Sequence, residues 1–219
     1  RARLRADRGD RDLLGGAGLH AIGDAAIEQV LRGYEKAIGN VVDSDRRHRI
    51  EHCGFTNPDQ IARMARIGVL PAPQAIFLYE FGDLYIDALG YDRPAASYPM
   101  RSWIDAGLHP SGSSDGPVSQ TNPFRGMYTM VTRKTSKGTV IGAEEAITIE
   151  EAVGAYTVSA AYGSFEEGVK GTLQPGMLGD VAVLDTDLFA TEPEAWIDAQ
   201  CDLTVLGGAV AYDRMGQVV

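Results

Sequence analysis

Gly18-Leu19-His20-Ala21-Ile22-Gly23-Asp24, Arg49-Ile50-Glu51-His52-Cys53 and Ser113-Ser114-Asp115-Gly116-Pro117-Val118 decide the fold of this chain. Each stretch puts a metal ligand or proton carrier just after a short apolar or glycine-rich run. His20 and His52 lie 32 positions apart, and Asp115 follows His52 by 63. One strand-plus-helix unit of a (β/α)8 barrel takes roughly 30 residues, since about 250 make eight units. The spacing therefore predicts His20, His52 and Asp115 on strands n, n+1 and n+3. The C-terminal ends of such strands open on one face, so the three side chains are expected to converge. Two imidazoles and a carboxylate suit a borderline-soft ion such as zinc.

Working outward, residues 17–22 read as a short buried strand and 49–53 as the next strand. Ile27, Val30, Leu31, Tyr34 and Ile38 between them recur at helical spacing, and Asp24 is placed to cap that helix. Asn57-Pro58 reads as N-cap and N1 of a second helix, which Gly68 closes. Residues 69–72 open a third strand, shortened by Pro71 and Pro73. Residues 74–98 read as a long insertion rich in aromatics and acids. Residues 99–106 form a helix and 108–112 a fourth strand leading to Asp115. Thr148 and Glu151 make a capping box, and Ile149, Ala152, Val153, Tyr156 and Ala160 line one helical face. After Gly163 the pattern changes to valine-rich stretches, 171–185 and 203–213, with Gly207-Gly208 as a hairpin turn.

Composition narrows the function classes. The chain has 219 residues, of which 44% are hydrophobic, and a formal net charge of −10. A nucleic-acid binder shows a basic patch or stripe. Here only residues 1–11 are locally Arg-rich, and acids interrupt them. No run of 18 apolar residues marks a membrane span, and no signal-peptide pattern is present. Cys53 and Cys201 give no disulfide framework, which fits a reducing, cytoplasmic setting. The chain opens at Arg1 rather than Met, so either something precedes it or it has been processed.

His20-Ala21-Ile22-Gly23-Asp24, Arg49-Ile50-Glu51-His52 and Ser114-Asp115-Gly116-Pro117-Val118 resemble the metal-dependent amidohydrolase superfamily. The branch in view is the one that includes N-substituted formamide deformylase. Ile147 to Thr157 resembles that branch's last barrel helix. Lys170-Gly171-Thr172-Leu173-Gln174-Pro175-Gly176-Met177-Leu178-Gly179-Asp180 resembles its re-entry into a β-sandwich, with Met177 and Gly179 where Lys and Ala are usual.

The resemblance implies an α/β chain. Residues 1–163 would be the C-terminal half of a (β/α)8 TIM barrel, strands five to eight. Residues 164–219 would be part of a small β-sandwich. It also implies zinc, as one or two divalent ions, held by His20 and His52 and touched by Asp115 in one state. Asp115 would be catalytic, taking a proton from the attacking water and passing it to the departing nitrogen. The substrate would be a small-molecule amide, formamide or cyclic amide. Phe77, Tyr79 and Phe81 are candidates to contact it.

One feature departs from the family. Its first barrel strand carries a His-x-His pair, whereas the four histidines here stand at 20, 48, 52 and 109. The expected partner is therefore a missing N-terminal barrel half, in the same or another chain, and two such halves pairing would give a homo-oligomer. The rival readings are a catalytically incomplete fragment or partner subunit, and a metal-dependent ester or phosphoester hydrolase. Asp115 could also serve as a turn residue, but its place after the last strand favours the catalytic role; His48 is expected as an exposed side chain, and Cys53 and His109 as packing residues.

Overall fold

Parallel pairing of three short strands organises the larger part of the molecule. The structure, a computed structural model, describes residues 16–39 and 44–216, so the Arg-rich stretch 1–11 lies outside the described residues. Gly18–Ala21 (β1), Arg49–His52 (β2) and Leu70–Ala72 (β3) form a parallel sheet in the order β1-β2-β3. Ala21 stands opposite His52, and Glu51 opposite Ala72. Parallel neighbours need a crossover, and helices supply it. Asp24–Ile38 (α1) links β1 to β2, and Pro58–Ile67 (α2) links β2 to β3.

Helix α1 buries Ile27, Leu31, Tyr34 and Ile38, the apolar face read from the spacing. Its N-cap is Gly23, so Asp24 is not the cap: it occupies the first turn, where its carboxylate accepts from Ala25 N at 2.8 Å and from Arg93 at 3.2 Å. Helix α2 begins as expected. Asn57 accepts from Gln60 N, Gln60 returns a bond to Asn57 N, and Gly68 ends the helix with a left-handed φ of 67°. On the outer side Arg63 reaches Glu28 at 2.6 Å and Glu35 at 2.8 Å, tying α1 to α2.

Residues 74–98 depart from the insertion expected there. They carry two helices, Ile76–Leu89 (α3) and Asp92–Ala95 (α4). The segment is apolar on several sides, with Ile76, Phe77, Leu78 and Gly82 all buried, which removes the one-sided period that marks a surface helix. The expected fourth strand at 108–112 does not form a ladder. Pro110 brings no N–H and Pro71 of β3 has none to offer, so the approach is marked by a single bond from Ser111 N to Pro71 O at 3.3 Å.

Met100–Asp105 (α5) and Pro123–Thr132 (α6) follow. The predicted last helix is two, Ile149–Tyr156 (α7) and Val158–Gly163 (α8), broken at Thr157 with φ −121° and ψ −81°. Its Thr148–Glu151 capping box is present. Val181–Leu184 (β4), Cys201–Leu206 (β5) and Ala209–Asp213 (β6) form a separate antiparallel sheet, with β4 covering only the end of the stretch 171–185. Gly207 and Gly208, at φ 58° and 81°, turn β5 into β6. A 3₁₀ helix over Pro193–Asp198 brings Trp196, 2% exposed, into the same buried cluster as Ile50, Met64 and Phe124. The described residues thus give a mixed α/β fold with one parallel and one antiparallel sheet and no closed barrel. None of their helices is long and apolar enough to cross a membrane.

Candidate functional site

His20 lies on β1 opposite Glu51, whereas His52 ends β2 opposite Ala21. Residues paired across a sheet share a face and successive residues alternate. An unbroken pleat would therefore send the two imidazoles to opposite faces. The backbone breaks that rule at the strand end: His52 has φ 69° and Cys53 φ 51°. A side chain in the left-handed region costs on the order of 1–2 kcal/mol, so the local structure must hold it there. The outcome is that His20 Nδ1 and His52 Nε2 face each other at 3.1 Å, with ring centroids 5.1 Å apart. His52 is buried and His20 is exposed.

Gln74, just past β3, lies behind His52. Its Oε1 is 2.7 Å from His52 Nδ1. Its Nε2 donates to Ala72 O at 3.1 Å and to Ser113 Oγ at 2.9 Å, and Ser113 Oγ donates to Pro73 O at 3.0 Å. A connected set of bonds thus runs from β1 through β2 and β3 to the segment leading to Asp115.

Asp115 is half-buried in a left-handed turn, φ 56°, and its carbonyl accepts from Val118 N at 2.8 Å. The expected three-way convergence is not reached. Among the described residues no three His, Cys, Asp or Glu side chains are grouped so as to hold a metal ion. The two histidines meet, and Asp115 does not complete a ligand set with them. Two nitrogens on one tetrahedral zinc at 2.0–2.1 Å lie about 3.3 Å apart, so the histidine pair fits one edge of such a shell.

The aromatic candidates divide between two places. Phe77 is buried with its ring 6.2 Å from that of His52, and it meets Phe81 edge-on at 5.3 Å. Tyr79 points elsewhere, edge-on to Tyr128 at 5.9 Å and 5.8 Å from the Arg125 guanidinium. There, with Glu80, Ser119 and Arg125, it lines an open groove of about 720 Å³ beside the 117–121 loop.

Two further residues shape the site from below. Tyr98 is fully buried at φ 47°, edge-on to Phe77, and its N donates to Gly54 O at 2.7 Å. Burial, reinforced by Tyr85, Cys53 and Asp115, pushes its phenol well above the usual range. Arg133 is buried too, among backbone carbonyls.

The remaining histidines and Cys53 have partners of their own. Cys53 is fully buried, 3.9 Å from Met64 Sδ, and burial raises its thiol pKa. His48 is half-buried rather than exposed: it stacks on Tyr34 at 4.7 Å, and its Nδ1 accepts from Ala17 N at 3.0 Å. His109 is exposed and rests on Tyr162 at 4.5 Å. Gln74, Ser113, Tyr98 and Arg133 escape a reading of the sequence. Gln74 alone carried a usable signal, since it stands just past the C-terminal end of a strand, near the level at which His20 and His52 stand on theirs.

Residues 16–212 match the amidohydrolase family. N-substituted formamide deformylase of Arthrobacter pascens is 29% identical over 199 residues, covering 90% of this chain and 36% of that protein. An uncharacterized metal-dependent hydrolase from Pyrococcus horikoshii OT3 superposes with a TM-score of 0.68 at 23% identity, over 84% of this chain and 36% of that one. A mutant of atrazine chlorohydrolase TrzN from Arthrobacter aurescens TC1, complexed with zinc and atraton, gives 0.63 at 20% identity, over 92% and 45%. The chain therefore spans between about a third and a half of the length of these relatives.

Proposed function

Because the chain belongs to the amidohydrolase family, we propose that it forms part of a metal-dependent hydrolase that cleaves a C–N bond in an amide, formamide or cyclic amide. The observation that carries this reading is the histidine pair, His20 Nδ1 to His52 Nε2 at 3.1 Å, at the C-terminal ends of adjacent parallel strands. His20 and His52 would hold zinc, alone or as one of two ions. Bound zinc lowers the pKa of its water to about 7 and polarises a carbonyl oxygen. Asp115 takes the proton of the attacking water on a carboxylate oxygen and returns it to the departing nitrogen. Phe77 would shield the buried His52 ring, with Phe81 packed behind it, and Tyr79 would meet the substrate in the outer groove.

A two-nitrogen edge is half of a zinc shell, so further ligands must come from elsewhere. Strand β1 pairs with β2 alone among the described residues, and Leu19 within it and Ile22 just past it are 46% and 41% exposed. An unpaired edge with apolar neighbours is a template for another strand. We place there the rest of the barrel, in the same or another chain, bringing the remaining ligands. The same observation favours a second reading of the 219 residues taken alone: a partner half without turnover.

The test measures zinc content and turnover of amide, ester and phosphoester substrates, with the chain alone and with a polypeptide carrying the remaining strands. The expected result is amide turnover and full zinc only in the combined sample, both lost in His20→Ala and His52→Ala. Zinc content unchanged in both variants, with the fold intact, removes the histidine pair from the centre. Ester or phosphoester turnover without amide turnover replaces the C–N assignment.

A further inference from the structure

We infer that Gln74, itself held by Ser113, is a positioning residue that fixes the tautomer of His52 and keeps a lone pair on His52 Nε2 aimed at His20. The inference rests on the reading of His52 as a metal ligand only for its functional use; the tautomer itself follows from hydrogen-bond direction.

Gln74 is 4% exposed, and its amide has three close polar neighbours. Ala72 O, at 3.1 Å, accepts and cannot donate, so the atom facing it is the NH₂. The second N–H of that group goes to Ser113 Oγ at 2.9 Å. Ser113 spends its own proton on Pro73 O at 3.0 Å, which leaves its oxygen free to accept. Turning the amide over would set oxygen against the Ala72 carbonyl and NH₂ against the His52 ring. The carbonyl oxygen of Gln74 therefore faces His52 Nδ1 at 2.7 Å and can only accept. The proton of a neutral His52 ring must sit on Nδ1, and Nε2 presents its lone pair toward His20 Nδ1 at 3.1 Å.

Free histidine in water prefers the other tautomer, so this one is imposed. An imidazole binds a metal through a lone pair, and the hydrogen bond on its far nitrogen decides which nitrogen has one. Ser113 lies two residues before Asp115, so the same amide also ties β3 and the Asp115 segment to the ring it orients. His48 makes the contrast. Its Nδ1 accepts from Ala17 N, so its proton sits on Nε2.

The test is long-range ¹H–¹⁵N NMR of the full chain labelled in its four histidines, chelator-treated, at neutral pH. Wild-type His52 is expected as the Nδ1–H tautomer and His48 as Nε2–H. In Gln74→Leu, His52 moves to Nε2–H while His48 stays. In Gln74→Glu one carboxylate oxygen still accepts from Nδ1–H, so the Nδ1–H form returns, while the other oxygen loses the Ala72 carbonyl as a partner and lowers the unfolding midpoint. Wild-type His52 found as Nε2–H overturns the inference without any variant, and so does an unchanged Nδ1–H signal in Gln74→Leu. Zinc affinity, measured with zinc alone in the combined sample, should fall about 10–100-fold in Gln74→Leu and recover in Gln74→Glu. Equal affinity in wild type and Gln74→Leu overturns the positioning role. The expected tautomers without any wild-type zinc binding leave the inference standing and refute the metal-ligand reading instead.

Discussion

Arg133 Nη1 donates to the carbonyl oxygen of Tyr98 across 3.0 Å, and both residues adopt left-handed backbone, φ 55° and 47°. The guanidinium also donates to Ile141 O at 2.9 Å, Gly142 O at 3.1 Å and Ser97 O at 2.9 Å. Burial draws its pKa down to about 10, still far above neutrality, so a buried cation is dispersed over backbone dipoles. It pins the turn before α5 to the exit of α6, and with it the Tyr98 ring that supports Phe77.

Arg133→Met should therefore destabilise strongly. Removing a buried charged group that satisfies several carbonyls costs roughly 3–5 kcal/mol. Arg133→Lys should recover little, because an ammonium lacks the planar fork that reaches separate acceptors. Urea unfolding midpoints check this, and losses below about 1 kcal/mol in both variants would show that the network contributes little.

Asp115→Asn should fold normally, since Asn tolerates the left-handed backbone that Asp115 adopts at φ 56°. In the complete enzyme it should lose about 10²–10⁴-fold in kcat, the usual contribution of general acid–base catalysis. Steady-state kinetics on an amide substrate decide it, and turnover within a few-fold of wild type makes Asp115 a turn residue.

Gly126 sits in α6 where a methyl group would overlap the Tyr156 hydroxyl oxygen, and a methyl on Gly112 would overlap the same ring. Gly126→Ala should cost about 1–3 kcal/mol through overpacking. Adding Tyr156→Phe removes the oxygen and should restore part of that loss, since the next ring atom lies 3.1 Å away. Thermal melts of the single and double variants give the coupling, and strictly additive effects would refute the clash.

His48 makes stability depend on pH. Burial, then the charge of Arg46, holds its pKa below the usual 6.5. The unfolded chain takes up this proton before the folded one. Stability is therefore full above about pH 6.5 and is lost as pH falls through the lower folded pKa. Urea midpoints should drop from pH 7.5 to pH 5, and drop less in His48→Gln. A slope unchanged by that substitution assigns the loss to other groups.

How much could be read in advance depended on how local the deciding physics was. The caps at Asn57 and Thr148 and the buried face of α1 were legible because neighbouring residues decide them. That His20 and His52 reach the same end of the sheet was legible from spacing, but their meeting on one face was not, since it depends on the left-handed backbone of His52. Helix α3 was hidden by apolar residues on several sides. The missing fourth strand was hidden because its pairing depends on a distant segment, and Ser111 N to Pro71 O is the bond that marks the approach. Gln74 shows only its place past a strand end and Arg133 shows nothing, because distant carbonyls and rings complete their bonds. Asp115 fell short of the histidine pair, since convergence at a metal depends on angstroms that residue counts do not resolve.

The insertion of Trp196 into the main buried cluster reaches beyond packing. Leu188 and Ala199 enter that cluster with it, and Lys134 at the end of α6 pairs with Glu194 at 2.8 Å. The segment between β4 and β5 thereby packs on α6 and shares one buried cluster with Ala21 of β1 and Ile50 of β2. Heat or denaturant should release the two sheets in one cooperative transition. Amide protons of β5 should exchange with solvent at the same free-energy level as those of β2, and a chain cut after Gly163 should lose the parallel sheet along with the antiparallel one.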